Sequence, residues 1–248
     1  MSAIRGARER ARSEITAAIK EEARRQLAEE GAAKLSLRAV ARELGMVSSA
    51  LYRYFPSRDD LLTALIVDAY DAVGAAAERA LADIGPAEPA VRWTAVCRAV
   101  RTWALAHPHE YALIYGTPVP GYTAPLTTVE PAGRVALALV AITRDAHAAG
   151  RLRTPRPDSL PPTVHTDVER LAAQFAPGLP APATAALVAA WAQLFGLIGF
   201  ELFGQFNQVV EAREAFFAHA VRGLAQQIGL PAEGEEQQGE RQAAGSRD

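Results

Sequence analysis

The side chains best equipped for chemistry lie in one short stretch, RELGMVSSALYRYFPSR, where Ser48, Ser49, Tyr52, Arg53 and Tyr54 follow a glycine turn and precede a Phe-Pro stop. Hydroxyls, phenols and a guanidinium grouped this way donate hydrogen bonds and carry positive charge. They do not make an activated nucleophile, because no general base stands with them. Serine and arginine can address base edges in a major groove. Tyrosine hydroxyls, arginine and helix N-termini satisfy phosphate oxygens.

Other chemistries find less support. In HPHE, His107, His109 and Glu110 cluster, but histidines at i and i+2 diverge on a helix and HExxH spacing is absent. The chain contains neither a glycine-rich phosphate loop nor a Gly-x-Ser-x-Gly elbow. The expectation is therefore no enzyme, with no catalytic set, no metal site and no cofactor. Cys97 is the single cysteine, which excludes an intramolecular disulfide and fits a reducing cytoplasm. The first thirty residues alternate charges and lack the apolar core of a secretory signal, so a cytoplasmic location is expected. Residues 183–200, ATAALVAAWAQLFGLIGF, carry no charge and approach the roughly 20 residues that span a bilayer. Gln193 in their middle, many small residues and the lack of basic anchors favour a helix buried on all sides, with no membrane partner.

The elements that must position the polar stretch follow from composition and punctuation. Half of the 248 residues are hydrophobic, and Ala, Leu and Arg dominate while β-branched runs are scarce, which predicts an all-α fold. The net charge is −2, yet residues 4–58 are basic and the part after Pro231 is rich in Glu and Gln. A first helix is predicted over 8–30, stopped by Gly31, and a second from a Ser36 cap through Leu44, stopped by Gly45. A short third covers 48–55 until Pro56, and Ser57 with Asp60 opens a fourth running to about Leu81. Beyond a turn at 84–89, a helix carries Val96, Val100 and Trp103, and a short one starts at Pro108 and ends at Gly116. Further helices are predicted over 131–149, 182–206 and 209–228, with a mobile proline-rich stretch at 154–162 and a disordered tail at 231–248.

The second and third helices form a helix-turn-helix candidate. Leu37, Val40, Ala41, Leu44, Leu51 and Phe55 recur at helical spacing and can pack against the first helix, leaving Ser48, Ser49, Tyr52 and Arg53 outward. As bare pattern, amphipathic hairpins of this kind are common. The longer run LSLRAVARELGMVSSALYRYFPSRDDLL, residues 35–62, resembles the DNA-binding domain of the TetR family of bacterial transcriptional regulators. The resemblance implies that Tyr52 and Tyr54 touch phosphates, that Ser48, Ser49 and Arg53 face the groove, and that Arg58 holds the DNA backbone at the start of helix four; Ser36 joins this DNA-binding set. Met46 and Val47 stand where the family often has Val then Ser, so the third helix must be capped by Ser48 or by no side chain.

WALAHPHEYALIYGTPVPGY, residues 103–122, resembles a C-terminal domain type of that family marked by Trp, His and Gly, here Trp103, His107 and Gly116. Read physically, Trp103 extends an apolar stripe, His107 can cap the helix after it and Gly116 ends that helix. Packing and ligand contact both remain open for Trp103 and His107, and Tyr111, Tyr115 and Phe175 are candidates for a pocket wall. Stripes through Trp191, Phe195 and Ile198 and through Phe217, Val221 and Leu224 predict a four-helix homodimer interface. The expected organisation is a helix-turn-helix domain at 1–56, a ligand-binding and dimerisation domain at 57–230, and the tail. The expected function is a repressor released from a palindromic double-stranded operator by a small apolar or amphipathic effector.

Overall fold

A computed structural model describes residues 2–153 and 160–231. Among the described residues there are ten α-helices and no strand. They are α1 (Ser2–Glu30), α2 (Leu37–Glu43), α3 (Ser48–Leu51), α4 (Arg58–Ile84), α5 (Pro89–Ala106), α6 (Pro108–Tyr115), α7 (Val129–Ala148), α8 (Pro162–Phe175), α9 (Ala181–Leu202) and α10 (Arg213–Ile228), with single 3-10 turns at Ala32–Lys34 and Leu126–Thr128. The all-α expectation holds. The proline-rich stretch lies largely outside the described residues, as does the tail from residue 232.

Two compact units divide the chain. The first combines Met1–Ala72 with His107–Ala132, and the second combines Val73–Ala106 with Gly133–Asp248. The division falls inside α4, well beyond the 56/57 boundary suggested by the Phe-Pro stop, because α4 is one continuous helix and α6 returns to the first unit.

In the first unit the core joins Ile19, Ala23 and Leu27 of α1 to Leu37, Val40 and Ala41 of α2, Leu51, and Leu61, Leu62, Leu65 and Ile66 of α4. Leu113 and Ile114 of α6, with Val119 and Tyr122, pack against the same core. The first helix begins six residues earlier than its periodicity predicts, since the arginine-rich N-terminus continues the helix past the part that packs. Ser57 Oγ accepts the Asp60 amide at 3.1 Å and donates to its carboxylate at 2.7 Å, so α4 opens on the expected cap.

In the second unit α5, α9 and α10 pack together and α8 lies on α9. Val96, Val100 and Trp103 are buried as expected, and the Trp93 indole donates to the Val221 carbonyl at 3.0 Å. Three expectations fail here. The helix α8 has no counterpart among the predicted elements, although Val164, Val168, Leu171 and Phe175 carry helical spacing, because prolines and polar residues surround it. The last helix starts at Arg213 rather than at 209, after a turn in which Gly204 and Gln208 take positive φ. The third failure concerns α9, which is not buried on all sides: Leu194 and Ile198 face the core, while Val188, Trp191 and Phe200 are exposed. The stretches Leu126–Ala148 and Ala181–Leu202 are long and apolar enough to cross a membrane, but each also buries residues in the protein core.

Candidate nucleic-acid interface

The α2–α3 corner is built by a glycine. Gly45 has φ +63°, in the left-handed region a Cβ disfavours, and its conformation lets the Met46 amide donate to the Ala41 carbonyl at 2.8 Å. The chain then enters α3 through Val47, whose backbone is extended and whose side chain supplies no cap. Of the two possibilities left by Met46 and Val47, the structure takes the capless one, and Ser48 is already the first helical residue. The α-helix closes at Leu51, shorter than predicted. Its last turn tightens through Tyr54, with the Tyr54 amide donating to the Leu51 carbonyl at 2.8 Å, and Phe55 is buried as the anchor.

Ser48, Ser49, Tyr52 and Arg53 project from this short element into solvent, as does Val47. Arg38 and Arg42 of α2 are exposed too. Neither was singled out from the sequence, though their i, i+4 spacing, off the Leu37, Val40, Ala41 face, was a readable signal. Ser36 Oγ accepts the Ala39 amide at 3.4 Å, so it serves the α2 N-terminus. Tyr54 is half-buried against the core, and the Arg12 guanidinium lies 5.5 Å from its ring centroid.

Arg58, for which the resemblance implies a contact with the DNA backbone, bonds here to the protein's own backbone. Its Nη2 donates to the carbonyls of Ala32 at 2.8 Å and Ala33 at 3.2 Å, and its Nε to that of Leu35 at 3.2 Å. The guanidinium thus satisfies the carbonyls of the α1–α2 connection and ties them to the first residue of α4.

The set Trp103, His107, Tyr111, Tyr115 and Phe175 is divided between the two units. Trp103 is buried in the second unit and Phe175, at the end of α8, is exposed, whereas His107, Tyr111 and Tyr115 belong to the first unit. His107 stands at the α6 N-cap but its side chain does not cap the helix, which instead relies on Pro108 at its first position. Gly116 is needed by close approach, since a Cβ there would lie 2.3 Å from the Ala112 carbonyl oxygen. The Tyr111 and Tyr115 rings meet at a tilt of 44° with centroids 5.1 Å apart, and Tyr70 of α4 meets Tyr115 edge-on at 5.9 Å. Burial raises the pKa of all three phenols.

The predicted dimer residues also need correction. Ile198, Phe217, Val221 and Phe195 are buried within the chain's own second unit, and Leu224, also buried, sits at the floor of the groove between α9 and α10. Only Trp191 of that set is exposed, with its ring edge-on to Phe195 at 5.8 Å. The open apolar surface lies one helix face away, in a groove of about 570 Å³ along α9 and α10 lined by Gly196, Leu197, Phe200, Phe216, Ala220 and Gly223. No group of three or more metal-ligating side chains occurs among the described residues.

Residues 19–65 match the family described as bacterial regulatory proteins, tetR family, and residues 93–224 match the tetracyclin repressor-like C-terminal domain. The chain belongs to the TetR family of DNA-binding transcriptional regulators, and it is a regulator rather than an enzyme. It is similar to the HTH-type transcriptional regulator Rv1816 of Mycobacterium tuberculosis, with 44% identity over 209 residues covering 82% of this chain and 86% of the relative. The solved structure of SCO4313 is 34% identical, with a TM-score of 0.72, and the match covers 88% of this chain and 98% of that one. PfmR of Thermus thermophilus, a TetR family regulator, shares the fold at 20% identity and a TM-score of 0.56, over 87% of this chain and 98% of its own.

Proposed function

We propose that the protein is a cytoplasmic repressor that binds a palindromic operator as a homodimer. The observation that carries this reading is the pairing of a polar, cationic surface with an apolar one. Ser48, Ser49, Tyr52 and Arg53 stand exposed on the helix-turn-helix, with Arg38 and Arg42 beside them on α2. Phe200 and Phe216 stand exposed in a groove that includes Gly196 and Gly223, where small residues allow close helix approach. In this reading Arg53 and the two serines read base edges. Tyr52, Tyr54 and the α2 arginines hold phosphates, and Arg58 positions the motif from behind. Two such motifs related by a two-fold axis require half-sites about one helical turn apart, roughly 34–36 Å.

Release is assigned to a small apolar or amphipathic effector. Tyr111 and Tyr115, with the neighbouring His107, are the proposed contacts. A molecule wedged between those rings would shift α6, which packs on the core that carries the helix-turn-helix. Trp103 and Phe175 belong to the second unit and are no part of this proposal. A ligand must bind the released conformation better than the bound one, and a typical coupling is about 1–3 kcal/mol.

The test is selection of DNA fragments from a genomic pool, followed by footprinting and sedimentation of the complex. A two-fold symmetric protected site occupied by two chains is expected. An asymmetric site occupied by one chain overturns the dimeric reading.

A further inference from the structure

The helix α1 is much longer than its packing requires. Its buried residues begin at Ile19 and continue through Ala23 and Leu27, whereas residues 7–15 are exposed throughout. Arg8 and Arg12 precede Ile19, Ala23 and Leu27 at intervals of four, seven, four and four, so all five share one face of the helix. The face that meets the protein core with aliphatic side chains therefore continues past the core with arginines. Glu9 flanks this stripe and Glu14 lies on the opposite side. Arg12 also marks where the extension runs, because its guanidinium sits over the ring of Tyr54, directly after the exposed Tyr52 and Arg53.

We propose that the N-terminal extension of α1 is a second DNA-contacting element. On that reading Arg8 and Arg12 hold the phosphate backbone beside the segment read by α3. The inference rests on the DNA-binding reading and deepens it. A face that continues the packed stripe yet carries exposed cations, Arg12 touching the protein at Tyr54, complements a polyanion and not an apolar partner. Phosphate contacts are sequence-independent, so the extension would add affinity and register without changing the preferred site.

The experiment compares the full chain with R8A/R12A and R8K/R12K on selected duplexes that either end at the α3-protected bases or extend beyond them, across a salt series. The alanine pair is expected to bind the long duplex more weakly, with the slope of log affinity against log salt smaller by about two per bound chain. Its preferred sequence should be unchanged, and the lysine pair should restore the slope. Melting temperatures within a few degrees of one another are expected, because both arginines are exposed and only the Arg12–Tyr54 contact is lost. If the full chain binds selected DNA and the alanine pair has the same affinity and slope, the extension makes no contact, while the helix-turn-helix assignment stands. If the full chain selects no duplex at all, both readings fall.

Discussion

Arg101 of α5 and Glu201 of α9 form a two-point ion pair inside the second unit, Nε to Oε2 and Nη2 to Oε1, both at 2.7 Å. Their side chains are only 10% and 7% exposed, Glu214 of α10 accepts a further bond from the same guanidinium, and the Phe217 ring lies 5.1 Å beneath it. One arginine thus pins three helices together. The hydrogen bonds to Glu201, more than any other influence, hold its pKa above the ordinary arginine value against desolvation.

Removing only one partner should be costly. Arg101→Ala strands a buried carboxylate, and a loss of about 3–5 kcal/mol is expected in denaturant unfolding. The double variant Arg101→Met/Glu201→Gln should recover a large part of that loss, because the unpaired charge is gone. A double-mutant cycle that shows simple additivity would refute the coupling.

Arg58→Ala should act through stability. Three carbonyls lose a charged donor, and each such bond contributes about 1.5–3 kcal/mol at most, discounted here because the site is partly exposed. The expected outcome is a lower melting temperature and weaker DNA binding with an unchanged salt slope. A slope smaller by about one would instead show a direct phosphate contact.

The open and the buried faces of α9 and α10 give opposite outcomes. Phe200→Glu places a charge at a side chain that is 53% exposed, so the chain should stay folded and sediment as a monomer. Phe217→Arg puts a second cation against Arg101 at a position that is 2% exposed, and loss of helical circular dichroism is expected. A folded, dimeric Phe200→Glu would remove the α9–α10 groove as the interface.

Tyr111 and Tyr115 should resist ionisation. Desolvation raises both phenols above the ordinary value of 10.0. Below pH 10 the folded and unfolded chains bind these protons equally, so stability is unaffected. Above it the unfolded chain releases them first, and stability falls as pH rises. Tyrosinate absorbance should therefore appear in two phases, the later one coinciding with alkaline unfolding. A single phase near the ordinary value would contradict the burial.

The helix-turn-helix was legible because local signals agree there: a serine cap on α2, a glycine that must turn, a proline stop and an apolar face of matching period. Arg58 shows where such reading ends. Its position at the head of α4 was visible, but its carbonyl partners sit more than twenty residues earlier, and only folding brings them near. Most of the dimer stripe proved to be buried for a related reason. Both faces of α9 are apolar, and periodicity cannot say which one the chain's own α5 and α10 will cover. Arg101 carried no signal at all, since a charge in an apolar helix predicts neither burial nor its partner a hundred residues on.

The first unit is discontinuous in the chain, and this bears on its biosynthesis. Leu113, Ile114, Val119 and Tyr122 complete a core begun by α1 and α4. On the ribosome, at about 5–20 residues per second, the helix-turn-helix emerges several seconds before the segment that covers it. During that interval the α4 surface awaiting α6 is open to chaperones or to a neighbouring nascent chain. Expression of residues 1–72 alone would make the interval permanent.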